Sequence, residues 1–139
     1  MKAQIETAFP QCLTNHCLVV QTAKEFDIAE EDKSRKCYIV KNSTEAGILK
    51  ITNSLLKDIY FLVIDKCLFF DSDAFPKCDC AVFDNRVFCF VEIKDCSFKN
   101  RQSHKPKAVE QLKTTIELFK AKLDFQGYQL EALICFRLK

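Results

Sequence analysis

Between residues 106 and 124 (PKAVEQLKTTIELFKAKLD), apolar side chains recur at Val109, Leu112, Ile116, Phe119 and Leu123. Spacings of three and four place them on one stripe of an amphipathic helix. Pro106 suits the first turn, where its missing N–H does no harm, and Gly127 suits a stop just beyond the end. Around this helix the pattern is that of strands. Residues 59–64 (IYFLVI) are continuously apolar, as a strand covered on both faces should be. Residues 78–83 (CDCAVF) and 87–94 (VFCFVEIK) are β-type runs separated by Asp-Asn-Arg, which reads as a hairpin. Residues 128–138 read as a last strand. The order expected from residue 58 is therefore strand, strand, strand, helix, strand. Earlier residues are less patterned. Residues 37–41 and 48–52 alternate as short strands do, residues 18–32 admit a helix ending in an acidic run, and NSTEAG between the two strands is either a turn or a capped helix start. The expectation is one α/β domain spanning residues 1–139, with a mixed central sheet and flanking helices. Its motif-bearing core is 58–138, and residues 1–57 form a poorly defined N-terminal part.

Composition supports a globular domain. Hydrophobic residues make up 48% and charged residues 29% of 139 positions, a balance that argues against disorder. A net charge of +2 is too small to point to nucleic acid. Its distribution says more: residues 94–107 gather Lys94, Lys99, Arg101, His104, Lys105 and Lys107 against one acid, Asp95. Such a cluster can meet phosphates or simply form a solvated loop. Nine cysteines cannot all pair within the chain, and MKAQIETAFPQC carries no apolar signal-like core. The longest apolar run, 59–64, falls far short of the ~20 residues that cross a bilayer. These features lead us to expect a cytoplasmic protein, no membrane, and free thiols serving as small buried hydrophobes rather than a disulfide framework. Only Cys12-x4-Cys17 beside His16 approaches a zinc spacing, and it falls short of the paired motif a structural site uses.

The chemistry lies where charges interrupt apolar runs. Asp79 stands between two cysteines, and Glu92 and Lys94 close VFCFVEIK on one face of the strand. Buried charges are costly unless paired or bound to a metal. If Asn85 and Arg86 form a two-residue loop, Asp84 pairs with Val87, and counting back puts Asp79 directly opposite Glu92. Cβ atoms so paired lie ~4.5–5.5 Å apart. Two carboxylates at that distance repel unless a cation joins them, and Mg²⁺ or Mn²⁺ prefers such oxygen donors. A loop with an odd number of residues would send the acids to opposite faces. The plain alternative makes Lys94 only the salt-bridge partner of Asp79 or Glu92.

Asp79, twelve residues, then Glu92-Ile93-Lys94 resembles the PD-(D/E)XK signature of the restriction-endonuclease-like nuclease superfamily. Glu31-Asp32-Lys33 also satisfies the bare D/E-x-K pattern, but it lies in a polar run. The resemblance implies a helix, a three-strand meander, a helix and a fourth strand. It further implies that Asp79 and Glu92 hold a divalent metal together with the main-chain carbonyl of Ile93, and that Lys94 orients the attacking water and neutralises phosphate. Cys78 stands where the signature has proline. The additional N-terminal acid is assigned to Glu45, with Asp65 as competitor. Gln111 resembles the helical glutamine of RecB-like branches, although Thr115 stands where those have tyrosine. The implied activity is metal-dependent hydrolysis of phosphodiester bonds, of DNA before RNA, with Lys99, Arg101, Lys105, Lys107 and Lys113 holding the backbone. The alternative is a catalytically silent member that binds nucleic acid or protein within a larger complex. The small size suggests a homodimer or a partner protein in either case.

Overall fold

The structure, a computed structural model, describes residues 1–41 and 47–138. Along the chain it forms α1 (Lys2–Ala8), α2 (Gln11–Thr14), β1 (Leu18–Gln21), β2 (Glu25–Glu30), β3 (Cys37–Ile39) and β4 (Leu49–Thr52). There follow β5 (Ile59–Val63), β6 (Cys80–Phe83), β7 (Val87–Cys96), α3 (Arg101–Lys122) and β8 (Gln129–Leu138). A five-stranded sheet has the order β1-β5-β6-β7-β8, and a three-stranded sheet the order β3-β2-β4. All neighbours are antiparallel except β7 and β8. The fold is thus mixed α/β, and from residue 58 the strands and helix follow the expected order.

Alternation along β7 sorts the two layers. Phe88 and Phe90 meet Phe119 of α3 at ring-centroid distances of 6.2 and 5.4 Å. Val87, Cys89 and Val91 face a hollow shared with Leu49 and Ile51 of β4. One face of the large sheet is therefore covered by α3, and the small sheet lies over the other. α1 joins the helical side, where Phe9 packs on Phe119 at 5.1 Å. Flanking helices were expected; on the second face a small sheet takes that place.

The hairpin has the register counted from the sequence. Cys80 pairs with Val91 and Phe83 with Phe88, and the Asp84 N–H donates to the Val87 carbonyl at 3.1 Å. Asp84 Oδ1 accepts from the backbone N–H groups of Arg86 and Val87, both at 2.8 Å. This side-chain turn closes a loop that Asp-Asn-Arg alone signals weakly.

Four expectations need correction. Residues 18–32 are not helical but supply β1 and β2; β2 gains ladder partners on both sides, and pairing of that kind overrides local preference. The strand expected at 78–83 begins at Cys80, leaving Asp79 just before it. α3 starts at Arg101, so Pro106 sits inside the helix and leaves the Gln102 carbonyl without its usual i+4 donor. Its buried residues are Ala108, Leu112, Thr115 and Phe119, while Val109 is exposed. Finally, Cys17 and Cys67 form a disulfide, with Cα atoms 5.7 Å apart. The Val63 N–H donates to the Cys17 carbonyl at 2.9 Å, and Asn15 Nδ2 donates to the Cys67 carbonyl at 3.0 Å. Those bonds bring two cysteines distant in sequence together at one corner. The other seven thiols are free, five of them buried. Among the described residues, no helix is long and apolar enough to cross a membrane.

Candidate metal centre

β7 is ten residues long and β6 only four, so the end of β7 runs on past the start of β6. Asp79 lies where that overhang begins. Its N–H donates to the carbonyl of Val91, the ladder partner of Cys80, at 3.1 Å, so the regular pairing ends at Cys80 and Asp79 stays beside the end of β7. The Ile93 N–H donates to Asp79 Oδ2 at 2.6 Å. Asp79 is 6% exposed and Glu92 1%, and their carboxyl groups are within hydrogen-bond reach of each other. Burial first, and then the charge of Glu92, push the Asp79 carboxyl up to about 8. Burial also raises Glu92, but the Lys94 ammonium bonded to it works the other way. The proton therefore belongs on Asp79 and the charge on Glu92. Glu92 Oε1 is buried with no other donor; either that proton or a cation can satisfy it.

Lys94 and Gln111 organise the helical side. Lys94 Nζ lies 2.8 Å from Glu92 Oε2 and donates to Gln111 Oε1 at 2.6 Å. Gln111 Nε2 donates to the Lys77 carbonyl at 3.2 Å. One turn on, Thr115 Oγ1 donates to the Gln111 carbonyl at 2.7 Å and accepts from the Cys78 N–H at 2.8 Å. Helix and hairpin are thereby pinned together at the acids. Cys78 and Cys80, alternating with Asp79, are fully buried in the core.

Other acids approach from different elements. Glu30, last residue of β2, is 4% exposed, and burial with the charge of Asp79 pushes it up to about 7. Its Oε1 lies 2.7 Å from Arg35 Nη2 in an approach too poorly aligned to be a hydrogen bond. Asp65 is half-buried beyond β5, and its charge raises both Asp79 and Glu92. Asp95, next to Lys94 in sequence, is bonded to Arg35 and Arg137, which hold its carboxyl well below the usual range. A pocket of about 320 Å³ lined by Glu30, Asp32, Lys33, Tyr38 and Arg137 brings solvent to the Glu30 side. A larger apolar cleft of about 800 Å³ lies between β1 and β3 and reaches Cys37.

The structure thus brings together Asp79, Glu92, the Ile93 backbone, Lys94 and Gln111. Glu45 lies outside the described residues. The basic residues do not converge. Lys99, Lys105, Lys107 and Lys113 are all exposed, and the Arg101 guanidinium lies 4.7 Å from the Phe98 ring centroid. At ~100° per residue, Lys107 shares the Gln111 flank of α3, whereas Lys113 lies roughly 200° round from Gln111. Arg101 and Lys105 border a hollow along β8 with Leu133 and Phe136. Glu30 is a residue the sequence argument did not identify. Its strand, EFDIAE, already holds Glu25 and Asp27 and runs into Glu31-Asp32-Lys33, so no charge stood out there as Glu92 does at the end of VFCFV. The Asp79–Glu92 pair, with Glu92 Oε1 buried and without a hydrogen bond, has the oxygen donors that suit a divalent cation. Comparison with protein-family models, with curated proteins and with solved structures finds no match.

Proposed function

We propose that the protein is a metal-dependent nuclease of the restriction-endonuclease-like kind. The observation that carries this reading is the confrontation of Asp79 and Glu92, two nearly buried carboxyls within hydrogen-bond reach, with an orphaned Glu92 Oε1 and the Lys94 ammonium alongside. Asp79 and Glu92 would hold Mg²⁺ or Mn²⁺. Such an ion, when bound, lowers the pKa of a coordinated water and stabilises charge on phosphoryl oxygens. The chain's own groups set the geometry. The Ile93 N–H fixes Asp79 in rotation, and Gln111 holds Lys94 between α3 and the acid pair. Lys94 offers a positive charge to a phosphate that approaches Glu92. Lys107, on the same flank of α3, adds a phosphate contact that positions nucleic acid without reading sequence.

Incubation of supercoiled plasmid, single-stranded DNA and RNA with Mg²⁺ or Mn²⁺ tests the reading. Cleavage by the wild type is expected, with DNA cut faster than RNA, and a loss of at least ~100-fold in Glu92→Gln and Lys94→Ala, as when a charge-stabilising group is removed. No cleavage of any substrate would overturn it. One observation favours a second reading: Glu92 is 1% exposed and already neutralised by Lys94. A silent nuclease-fold protein that binds nucleic acid or a partner would look the same, and would retard labelled DNA in a gel without cutting it.

A further inference from the structure

Glu30 and Asp79 have a third neighbour that is not an oxygen donor. Cys37, first residue of β3, is 2% exposed. One ligand atom each from Glu30, Cys37 and Asp79 lie within 4.8 Å of one another. The three come from separate parts of the fold: the end of β2, the start of β3 and the overhang before β6. Two hydrogen-bonded strands bring Glu30 and Cys37 side by side, since they are direct partners in the β2–β3 ladder. The small sheet then places this pair against Asp79.

We propose that Glu30, Cys37 and Asp79 form a binding site for a thiophilic divalent cation of the zinc class, adjoining the Asp79–Glu92 pair through the shared Asp79. The proposal rests on the same acid cluster as the nuclease reading but concerns a different donor set. Beyond the cluster itself, Glu30 Oε1 and Glu92 Oε1 are buried without a hydrogen bond, Glu30 Oε1 meeting the Arg35 guanidinium as an ion pair at 2.7 Å. Both residues are more than nine-tenths buried. The donor chemistry selects the ion. Mg²⁺ demands oxygen ligands in a near-ideal octahedron, whereas a thiolate beside two carboxylates suits Zn²⁺. Zinc bonds of ~2.3 Å to sulfur and ~2.1 Å to oxygen at the tetrahedral angle leave ligand atoms roughly 3.5 Å apart. From within 4.8 Å of one another, the three atoms have to draw together by up to roughly 1.3 Å to reach that spacing. Binding displaces two protons to solvent, that of the Cys37 thiol as the sulfur–metal bond forms and the one Asp79 carries as its carboxylate binds, with no change of oxidation state. Three protein ligands leave a fourth position open, the arrangement of zinc sites that bind a water or a substrate rather than of purely structural ones. The pocket bordered by Glu30 and Tyr38 gives that position a route to solvent.

X-ray absorption at the zinc edge, on wild-type protein freed of metal and reloaded with one equivalent of Zn²⁺, reads the donor set directly. One sulfur at ~2.3 Å with oxygen neighbours is expected; a shell of oxygen and nitrogen alone would overturn the site. Titration with Cd²⁺ gives a second readout through the thiolate-to-metal ultraviolet band. That band should disappear in Cys37→Ser, persist in Glu92→Gln, and require about tenfold or more metal in Glu30→Gln. A band unchanged in Cys37→Ser would place the sulfur elsewhere and refute the assignment. The wild-type spectrum needs no variant, so misfolding of Cys37→Ser cannot rescue the idea. The two readings fail separately. Cleavage supported by Mg²⁺ without sulfur ligation removes only the zinc-class site, and sulfur ligation without cleavage removes only the nuclease.

Discussion

Asp79 carries its proton far above the range of a free carboxyl, about 8 in the folded protein against ~3.9 in an unfolded chain. Across that window the folded state binds more protons than the unfolded one. Stability is therefore greatest below the lower value and is lost as pH rises through the upper. Glu30, pushed up to about 7, acts in the same direction. In chelator-treated protein the melting temperature should fall steadily from pH 5 to pH 8, and Asp79→Asn should flatten the slope. A wild-type melting temperature that is level or rises over this range would contradict the shared proton. Added divalent metal should oppose the fall, because it competes with protons for the same oxygens. Lys94 faces the complementary problem. Its ammonium is 2.8 Å from Glu92 Oε2, with side chains 13% and 2% exposed. Removing one partner of a buried pair costs ~3–5 kcal/mol because the other charge is stranded. Lys94→Ala should lose about that much in a metal-free urea titration, and Glu92→Gln/Lys94→Ala should regain part of it. A double variant no more stable than the single one would show that the stranded charge is not the cause.

At the scale of elements, the hinge between helix and hairpin is Thr115. Its hydroxyl links the Cys78 N–H to the Gln111 carbonyl in a fully buried position. Thr115→Val preserves the shape and leaves that N–H without an acceptor, at an expected cost of ~1–3 kcal/mol. The measurement is the urea midpoint, and an unchanged value would mean the pin is not holding α3. The same residue explains why the helix was only partly legible. Its period and its order after the hairpin follow from sequence, but it ends at Lys122 with Leu123 extended, and Gly127 serves the turn before β8 rather than the helix stop. The buried arc, however, turns toward the acids, so Gln111 and Thr115 take places that a purely apolar stripe would give to Val109. The hairpin took the two-residue-loop register that the sequence offered beside an odd-length alternative, because the Asp84 side chain closes that turn. Within residues 18–52 the strands β3 and β4 were legible from their alternation, whereas 18–32 read as a helix: β1 has four residues, too few for a period to emerge, and its partner β5 lies far along the chain. Glu30 and Cys37 were not visible as site residues because only the β2–β3 ladder makes them neighbours.

For the whole molecule, the centre draws on both sheets: Asp79, Glu92 and Lys94 from the large one, Glu30 and Cys37 from the small one. Arg35 bridges them again, lying 2.7 Å from Glu30 and 2.6 Å from Asp95. Anything that fixes the small sheet against the large one therefore also fixes the centre. The Cys17–Cys67 disulfide joins the residues before β1 and after β5, neighbours in the large sheet, and so closes the chain segment that carries the small sheet. Its sequence separation is 50, and the segment between contains β2, β3 and β4 entire. Closing a loop of that length removes unfolded-state entropy equivalent to ~4 kcal/mol. Treatment with a strong reductant should lower the denaturant midpoint of the wild type accordingly, and should leave Cys17→Ser/Cys67→Ser unaffected. Because a ligand that binds only the folded state adds about 2.7 kcal/mol at a hundred times its Kd, saturating Zn²⁺ should return part of what reduction removes if the small sheet supplies metal ligands. Two comparisons decide the point: oxidised against reduced protein, and reduced protein with and without metal. Equal midpoints in the first pair would show that closing this loop does not stabilise the fold. Equal midpoints in the second would show that the metal draws nothing from the small sheet.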